Sequence, residues 1–228
     1  MVGKTILVVA AHPDDEVLGM GGTIARHTAC GDAVHVVFLG DGVSSRGNVE
    51  KALLEERKSC ALRACKILGA NVLSFEALPD NQFDSVPLLS VVKTVEEVKK
   101  ATDPQVIYTH HAGDLNIDHR VVCQAVLTAF RPLPSETFGE IRAFEVNSST
   151  EWGGRGGLEP FVPDTYVDIS PYLSKLEESC RCYSKEIRKD PHARSMEAVR
   201  YSAFRRGREV GVYAAEAFMT LRRILRNA

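Results

Sequence analysis

Residues 6–16 read Ile6-Leu7-Val8-Val9-Ala10-Ala11-His12-Pro13-Asp14-Asp15-Glu16. The apolar run Ile6 to Ala11 has the length and composition of a β-strand buried on both faces. An imidazole and three carboxylates follow it, at the point where a strand stops and a helix begins. In an α/β protein that strand end is where chemistry collects. Two such groups suffice to hold a metal while a third stays free to move a proton.

Working outward, apolar runs alternate with helical patterns. Leu18 to Cys30 reads as a helix that stops at Gly31-Asp32, and Ala33 to Leu39 as a second strand ended by Gly40-Asp41-Gly42. Val49 to Leu68 places Leu53, Leu54, Ala61, Ala64 and Leu68 near one helical face, with Gly69 as a stop. Val72 to Phe75 predicts a third strand, Leu88 to Lys100 a helix turning Val91, Val92, Val95 and Val98 inward, and Val106 to Thr109 a fourth strand. This alternation predicts an α/β fold with a mainly parallel sheet flanked by helices, forming a single domain over residues 1–228. Past Phe130 the regularity weakens. Ile141 to Val146 and Tyr166 to Ile169 read as further strands, separated by the glycine-rich Trp152-Gly153-Gly154-Arg155-Gly156-Gly157, a loop or a mobile pocket wall. Pro171 to Lys189 and Met196 to Arg226 read as helical, with breaks near Gly207 and Gly211. There is no internal repeat or linker to mark a second domain.

Composition excludes several classes. At 228 residues, 44% hydrophobic and 25% charged, the chain can bury a sizeable core. A net charge of −2 offers no electrostatic footprint for nucleic acid. No apolar stretch approaches a membrane span, and the run after Met1-Val2-Gly3-Lys4 is too short for a signal-peptide core. The six cysteines, Cys30, Cys60, Cys65, Cys123, Cys180 and Cys182, lack the paired spacing of a zinc module, so reduced thiols in a cytoplasmic protein are expected.

A second polar cluster, His110-His111-Ala112-Gly113-Asp114-Leu115-Asn116-Ile117-Asp118-His119, follows the fourth strand. In a parallel sheet it opens at the same carboxyl edge as the first, so the two converge on one crevice. A histidine, a carboxylate and a distant histidine make a three-ligand set with an open position for water, as catalytic zinc requires. Taken singly, Asp14 to Glu16 also suit a helix N-terminus, and the second loop suits a turn built on Asp and Asn side chains.

These residues carry a family resemblance. Ala11 to Glu16, Leu18-Gly19-Met20-Gly21-Gly22 and Asp118-His119 resemble the signatures of the LmbE-like (PIG-L) zinc N-deacetylases, and Arg57, Ala64, Leu68-Gly69 and the ending Arg206 to Phe218 agree with it. The resemblance implies a Rossmann-like domain that removes the acetyl group from an N-acetylglucosamine-type amide. It implies zinc on His12, Asp15 and His119, with Asp14 as general base, Arg57 near the pocket and assembly as a homo-oligomer. The same donor set also accommodates iron, manganese or cobalt.

The chain departs from that pattern at Asn116. Many members have a histidine there, three positions before the last ligand, and an amide can donate a hydrogen bond but cannot act as an acid near neutral pH. His110, His111 and Asp114 are the nearest substitutes for its role. Asp118 is read either as orienting a metal-bound histidine or as a helix cap. Asp41, Asp80, Asn81 and Asp84 are candidate crevice residues, and Arg205, Arg206 and Arg208 form a basic run that suits an anion, another subunit or plain solvent. Two other readings stay open. Gly19 to Gly22 could cradle a phosphate in a nucleotide-binding protein or nucleotide-sugar transferase, although the spacing matches neither common glycine fingerprint. A non-catalytic metal-dependent binding module would also accommodate Asn116.

Overall fold

Strand β1 (Thr5–Ala10) is buried from Ile6 onward because it lies in the middle of a sheet covered on both faces. The computed structural model describes residues 3–47, 50–154 and 157–225. Met1, Val2, Val49, Arg155, Gly156 and Arg226, which figured in the sequence reading, lie outside the described residues. Around β1 the seven-stranded sheet also contains β2 (Ala33–Gly40), β3 (Asn71–Leu78), β4 (Val106–His110), β5 (Glu140–Phe144), β6 (Thr165–Asp168) and β7 (Ala215–Arg223), in the order β3-β2-β1-β4-β5-β7-β6. All neighbours pair in parallel except around β7, which runs antiparallel to both β5 and β6. The α/β class expected from the sequence is therefore correct, with one reversed strand.

The helices are α1 (Asp15–Ala29), α2 (Lys51–Leu68), α3 (Leu88–Thr102), α4 (Ile117–Ala129), α5 (Leu173–Arg181) and α6 (Met196–Val210). Alternate β1 side chains feed two cores: Ile6, Val8 and Ala10 pack with residues of α1, α2, α5 and α6, while Leu7 and Val9 pack with α3 and α4. Both faces being dry explains why β1 reads as one uninterrupted apolar run. The chain winds β1-β2-β3 to one side, then returns to place β4 on the other side of β1, registered Ile6 to Val106 and Val8 to Tyr108. That reversal opens a crevice beyond the carboxyl ends of β1 and β4.

The later part of the chain corrects the sequence reading. Helix α6 stops at Gly211, whose φ of 78° suits glycine, and residues 215–223 form strand β7 where a continued helix was expected. Ala, Glu, Met, Leu and Arg favour helices, but pairing with β5 and β6 on either side outweighs that local preference. Between Pro171 and Lys189 only Leu173–Arg181 is α-helical, and the chain from Cys182 to Ser195 runs through turns.

The Gly19 to Gly22 segment also has an explanation other than phosphate binding. A Cβ on Gly19 would lie 2.4 Å from the Phe144 ring, and one on Gly22 would lie 2.8 Å from Ile169. These glycines let α1 approach the sheet. Helix α1 is kinked at Met20 (φ −157°), and the N–H groups of Gly22 and Thr23 freed there donate to the Glu216 carboxylate at 2.8 and 2.6 Å. The carboxyl group held at this internal helix start is the chain's own.

Two stability measurements follow. Gly19→Ala should lose about 1–3 kcal/mol in denaturant titrations, because the Phe144 ring and its strand must move. Burial lifts the Glu216 carboxyl from 4.5 to about 7, so the folded chain keeps a proton that the unfolded chain has released. The stability so gained is complete below pH 4.5 and is lost as the pH rises through 7. The wild type should therefore lose roughly 1–2 kcal/mol between about pH 5 and about pH 8, a loss that Glu216→Gln, with one oxygen and one donor nitrogen facing those two N–H groups, should not show.

Candidate active site

The turn after β1 carries His12, Asp14 and Asp15, and the loop from β4 into α4 carries His110, Asp114, Asn116, Asp118 and His119. The crevice brings the two groups together. His12, Asp15 and His119 are all buried and present ligand atoms within 4.8 Å of one another. Asp15 Oδ2 lies 3.5 Å from His12 Nδ1, and Asp15 Oδ1 lies 3.4 Å from His119 Nε2. Those separations are long for hydrogen bonds and suit donors arranged around a common centre. Two imidazoles and a carboxylate are a donor set that fits a divalent metal.

Each of the two histidines is held from behind. His12 Nε2 faces Asp118 Oδ2 at 2.9 Å and Asp80 Oδ1 at 3.2 Å. Asp118 also accepts the backbone N–H groups of Asn81 (2.6 Å) and Phe83 (2.9 Å), so its carboxylate is fixed before His12 reaches it. Asp118 thus contacts distant His12 rather than adjacent His119. His119 Nδ1 is 3.2 Å from Asp114 Oδ2, and Asp114 is anchored by the hydroxyls of Ser149 and Thr150 and by the Asn116 N–H. Asp118 does not cap α4. Asn116 does, its side-chain oxygen accepting the Asp118 N–H at 2.8 Å.

The electrostatics follow from this crowding of acids. Burial opposes charge on His12, yet Asp118 and Asp15 outweigh it and raise the pKa to about 9. Burial likewise opposes charge on His119, but Asp15 and Asp114 raise it to about 10. Burial by itself would raise Asp15, whereas His119 and His110 bring it well below the usual carboxylate range. His110 behaves differently. Its ring stacks on His119 at 3.9 Å, and its Nε2 accepts the Ala11 N–H at 2.8 Å, which leaves the proton on Nδ1. Burial and the neighbouring His119 push its pKa down to about 3, so it is neutral and cannot stand in as an acid. His111 is engaged elsewhere, its Nε2 2.8 Å from the Glu159 carbonyl oxygen and its ring edge-on to Phe161.

Asp14 stands outside the triad. It makes no side-chain cap to α1, so helix capping does not account for it. Its Oδ2 accepts from Arg57 Nη2 and Arg194 Nη1, each at 3.2 Å, and Glu186 bonds Arg57 Nη1 at 2.9 Å. Burial raises the Asp14 pKa against the pull of the two arginines. His12, Asp14, Arg57 and Arg194 line a cleft of about 110 Å³, together with Gly42, Ser45, Asp80, Asn81 and Asn116. Arg57 is 7% exposed, not a solvated surface residue.

Among the other candidates, Asp41 accepts the Val43 and Ser44 N–H groups and serves its turn, and Asp84 is exposed. Arg206 is buried in a two-pronged pair with Glu145, and Arg205 lies near the same carboxylate. The sequence reading missed Arg194, Glu186 and Tyr183, which all come from the irregular segment after α5. Tyr183 and Glu186 fell within a stretch read as helical, and Arg194 between two such stretches.

A strand-end site of this kind, with histidines and aspartates converging between β1 and β4, is one that could hold a metal in an α/β enzyme. The chain belongs to the PIG-L family (GlcNAc-PI de-N-acetylase), whose profile matches residues 7–130. It is 28% identical over 203 residues to 4-oxalmesaconate hydratase of Pseudomonas putida, covering 78% of this chain and 72% of that protein. It is 24% identical over 201 residues to diacetylchitobiose deacetylase of Thermococcus kodakarensis, covering 82% and 72% respectively. Among solved structures, GalB, the 4-carboxy-2-hydroxymuconate hydratase of P. putida, superposes with a TM-score of 0.77 at 26% identity over 99% of both chains.

Metal binding should displace protons. His12 and His119 hold theirs up to about pH 9 and about pH 10, while a ligating imidazole must be neutral. Calorimetric titration in buffers of different ionisation enthalpy should report roughly one to two protons released per metal near pH 7. Apparent affinity should strengthen as the pH rises towards 9, and less steeply in His119→Ala, which leaves only His12 to release a proton.

Proposed function

We propose that this chain is a zinc-dependent hydrolase, a single domain that removes the acetyl group from an N-acetylglucosamine-type amino sugar or glycoconjugate. The observation that carries the reading is the buried His12, Asp15 and His119 set beside Asp14, at the wall of a polar cleft. Zinc held by those three residues supplies a polarised carbonyl and a water of lowered pKa.

The chain's own residues supply the rest. Asp15 is committed to the triad, leaving Asp14 as the base that takes a proton from the attacking water and returns it to the leaving amine. Burial keeps Asp14 more basic than a free carboxylate, and Arg57 and Arg194 hold it in place. Asn116 Oδ1 accepts the Asp118 N–H as the cap of α4, which leaves the amide nitrogen as the donor on a residue that lines the cleft. From there it can donate a hydrogen bond to the developing oxyanion, an electrostatic substitute for the family's histidine. Asp80, Asn81 and Ser45 offer hydroxyl-binding partners along the same wall. The enzyme works in the cytoplasm as a homo-oligomer on a small-molecule substrate, without nucleic acid.

A second reading, addition of water across a carbon–carbon double bond, is favoured by the whole-length likeness to GalB. It uses the same base and the same water. Assays of acetate release from N-acetylglucosamine conjugates, run beside absorbance assays of conjugated unsaturated carboxylates, separate the two. Zinc-loaded protein should release acetate. Asp14→Asn should lower the rate by roughly 100-fold or more with zinc retained, and His12→Ala should lose both zinc and activity. Unchanged acetate release in both variants would refute the mechanism.

A further inference from the structure

The backbone of Asp14 is the most unusual in the site. Its φ of 126° with ψ of −23° is a conformation that residues with a side chain rarely adopt. Holding a non-glycine residue there is strained, and the strain persists only where surrounding structure over-determines it. Two bonds fix the two ends of this residue. The Asp14 carbonyl accepts the Leu18 N–H at 3.0 Å, as the start of α1. The Asp14 N–H donates to Glu16 Oε2 at 3.0 Å, an unusual reach by a side chain only two residues on.

Glu16 is completely buried, and its other oxygen, Oε1, accepts the Tyr183 hydroxyl at 2.5 Å. Tyr183 is itself 1% exposed and lies in the turn segment that follows α5. The same segment supplies Glu186 to Arg57 and Arg194 to the Asp14 carboxylate, and the Tyr183 ring lies under Arg57 at 5.6 Å. One strap of chain therefore grips the Asp14 neighbourhood at both its backbone and its carboxylate.

We propose that Tyr183 and Glu16 are positioning residues, which hold the Asp14 backbone in its strained conformation and so aim its carboxylate into the cleft. This rests on the reading of Asp14 as the base. Without the Tyr183 hydroxyl, Glu16 loses its fixed orientation and the Asp14 N–H loses a rigid acceptor. The φ angle then relaxes, and the carboxylate leaves the gap between Arg57 and Arg194.

Three variants test this, each loaded with zinc and checked for folding by its unfolding transition. Tyr183→Phe keeps the ring under Arg57 and deletes only the hydroxyl. It should lower kcat by roughly 10- to 100-fold with KM and zinc content unchanged, as for a misaimed catalytic group. Glu16→Ala should do the same. Glu16→Gln still accepts the Asp14 N–H through its oxygen and can donate to the tyrosine oxygen, so it should retain kcat within about threefold. Full activity in both Tyr183→Phe and Glu16→Ala would overturn the proposal, and so would a Glu16→Gln as damaged as Glu16→Ala, because Glu16 would then act through its charge. Crystal structures provide the independent reading: Asp14 should leave positive φ in Tyr183→Phe and Glu16→Ala. If the wild type releases no acetate, the functional reading fails alone, and a positive φ kept in both variants overturns the positioning role.

Discussion

Parallel pairing of β1 with β4 is the constraint on which the site depends. The two strands are far apart in sequence, and their register decides that His12 and His119 face each other across one crevice. Each strand is buried, so a slip of one residue would turn apolar side chains out of the two cores and the polar ends away from each other. The close approach of α1 to Phe144 and Ile169 serves the same end, since α1 begins with Asp15 and must sit at a fixed height above the sheet.

Acids outnumber what the buried histidines can neutralise. Asp14, Asp15, Asp80, Asp114 and Asp118 are all nearly inaccessible, and without a cation their field is relieved by protons on His12 and His119. Such an arrangement is costly for an apo fold and suited to a divalent ion. Asp14 escapes this pool because two guanidinium groups reach it from outside. Environment thus separates adjacent aspartates, one kept ionised by imidazoles and one made more basic by burial.

Much of this was legible in the sequence, for identifiable reasons. Strands β1, β2 and β4 are covered on both faces and so read as apolar runs, and the polar residues after β1 and β4 stand out against them. That contrast marks a polar crevice with a histidine, a carboxylate and a distant histidine, and the family resemblance selects His12, Asp15 and His119 among them. Strand β7 was hidden because its residues favour helix by themselves and are made a strand by neighbours on both sides. Arg194, Glu186 and Tyr183 were hidden for a related reason: their partners lie up to 180 residues away, and the helical reading of residues 171–189 did not foresee the turns that carry two of them. The glycines of α1 were visible but ambiguous, since a packing glycine and a phosphate-cradling glycine look alike until Phe144, Ile169 and Glu216 are in place.

Asp118 has a consequence for how a metal is captured. Its carboxylate is tied to two backbone N–H groups of the loop after β3, and from that anchor it holds one edge of the His12 ring. The opposite nitrogen then points towards Asp15 and His119 without a ring flip. Ordering of the imidazole is completed when the chain folds, so little rotational freedom remains to be lost when an ion arrives. Capture of an ion there would then be an exchange of protons and solvent on a rigid frame.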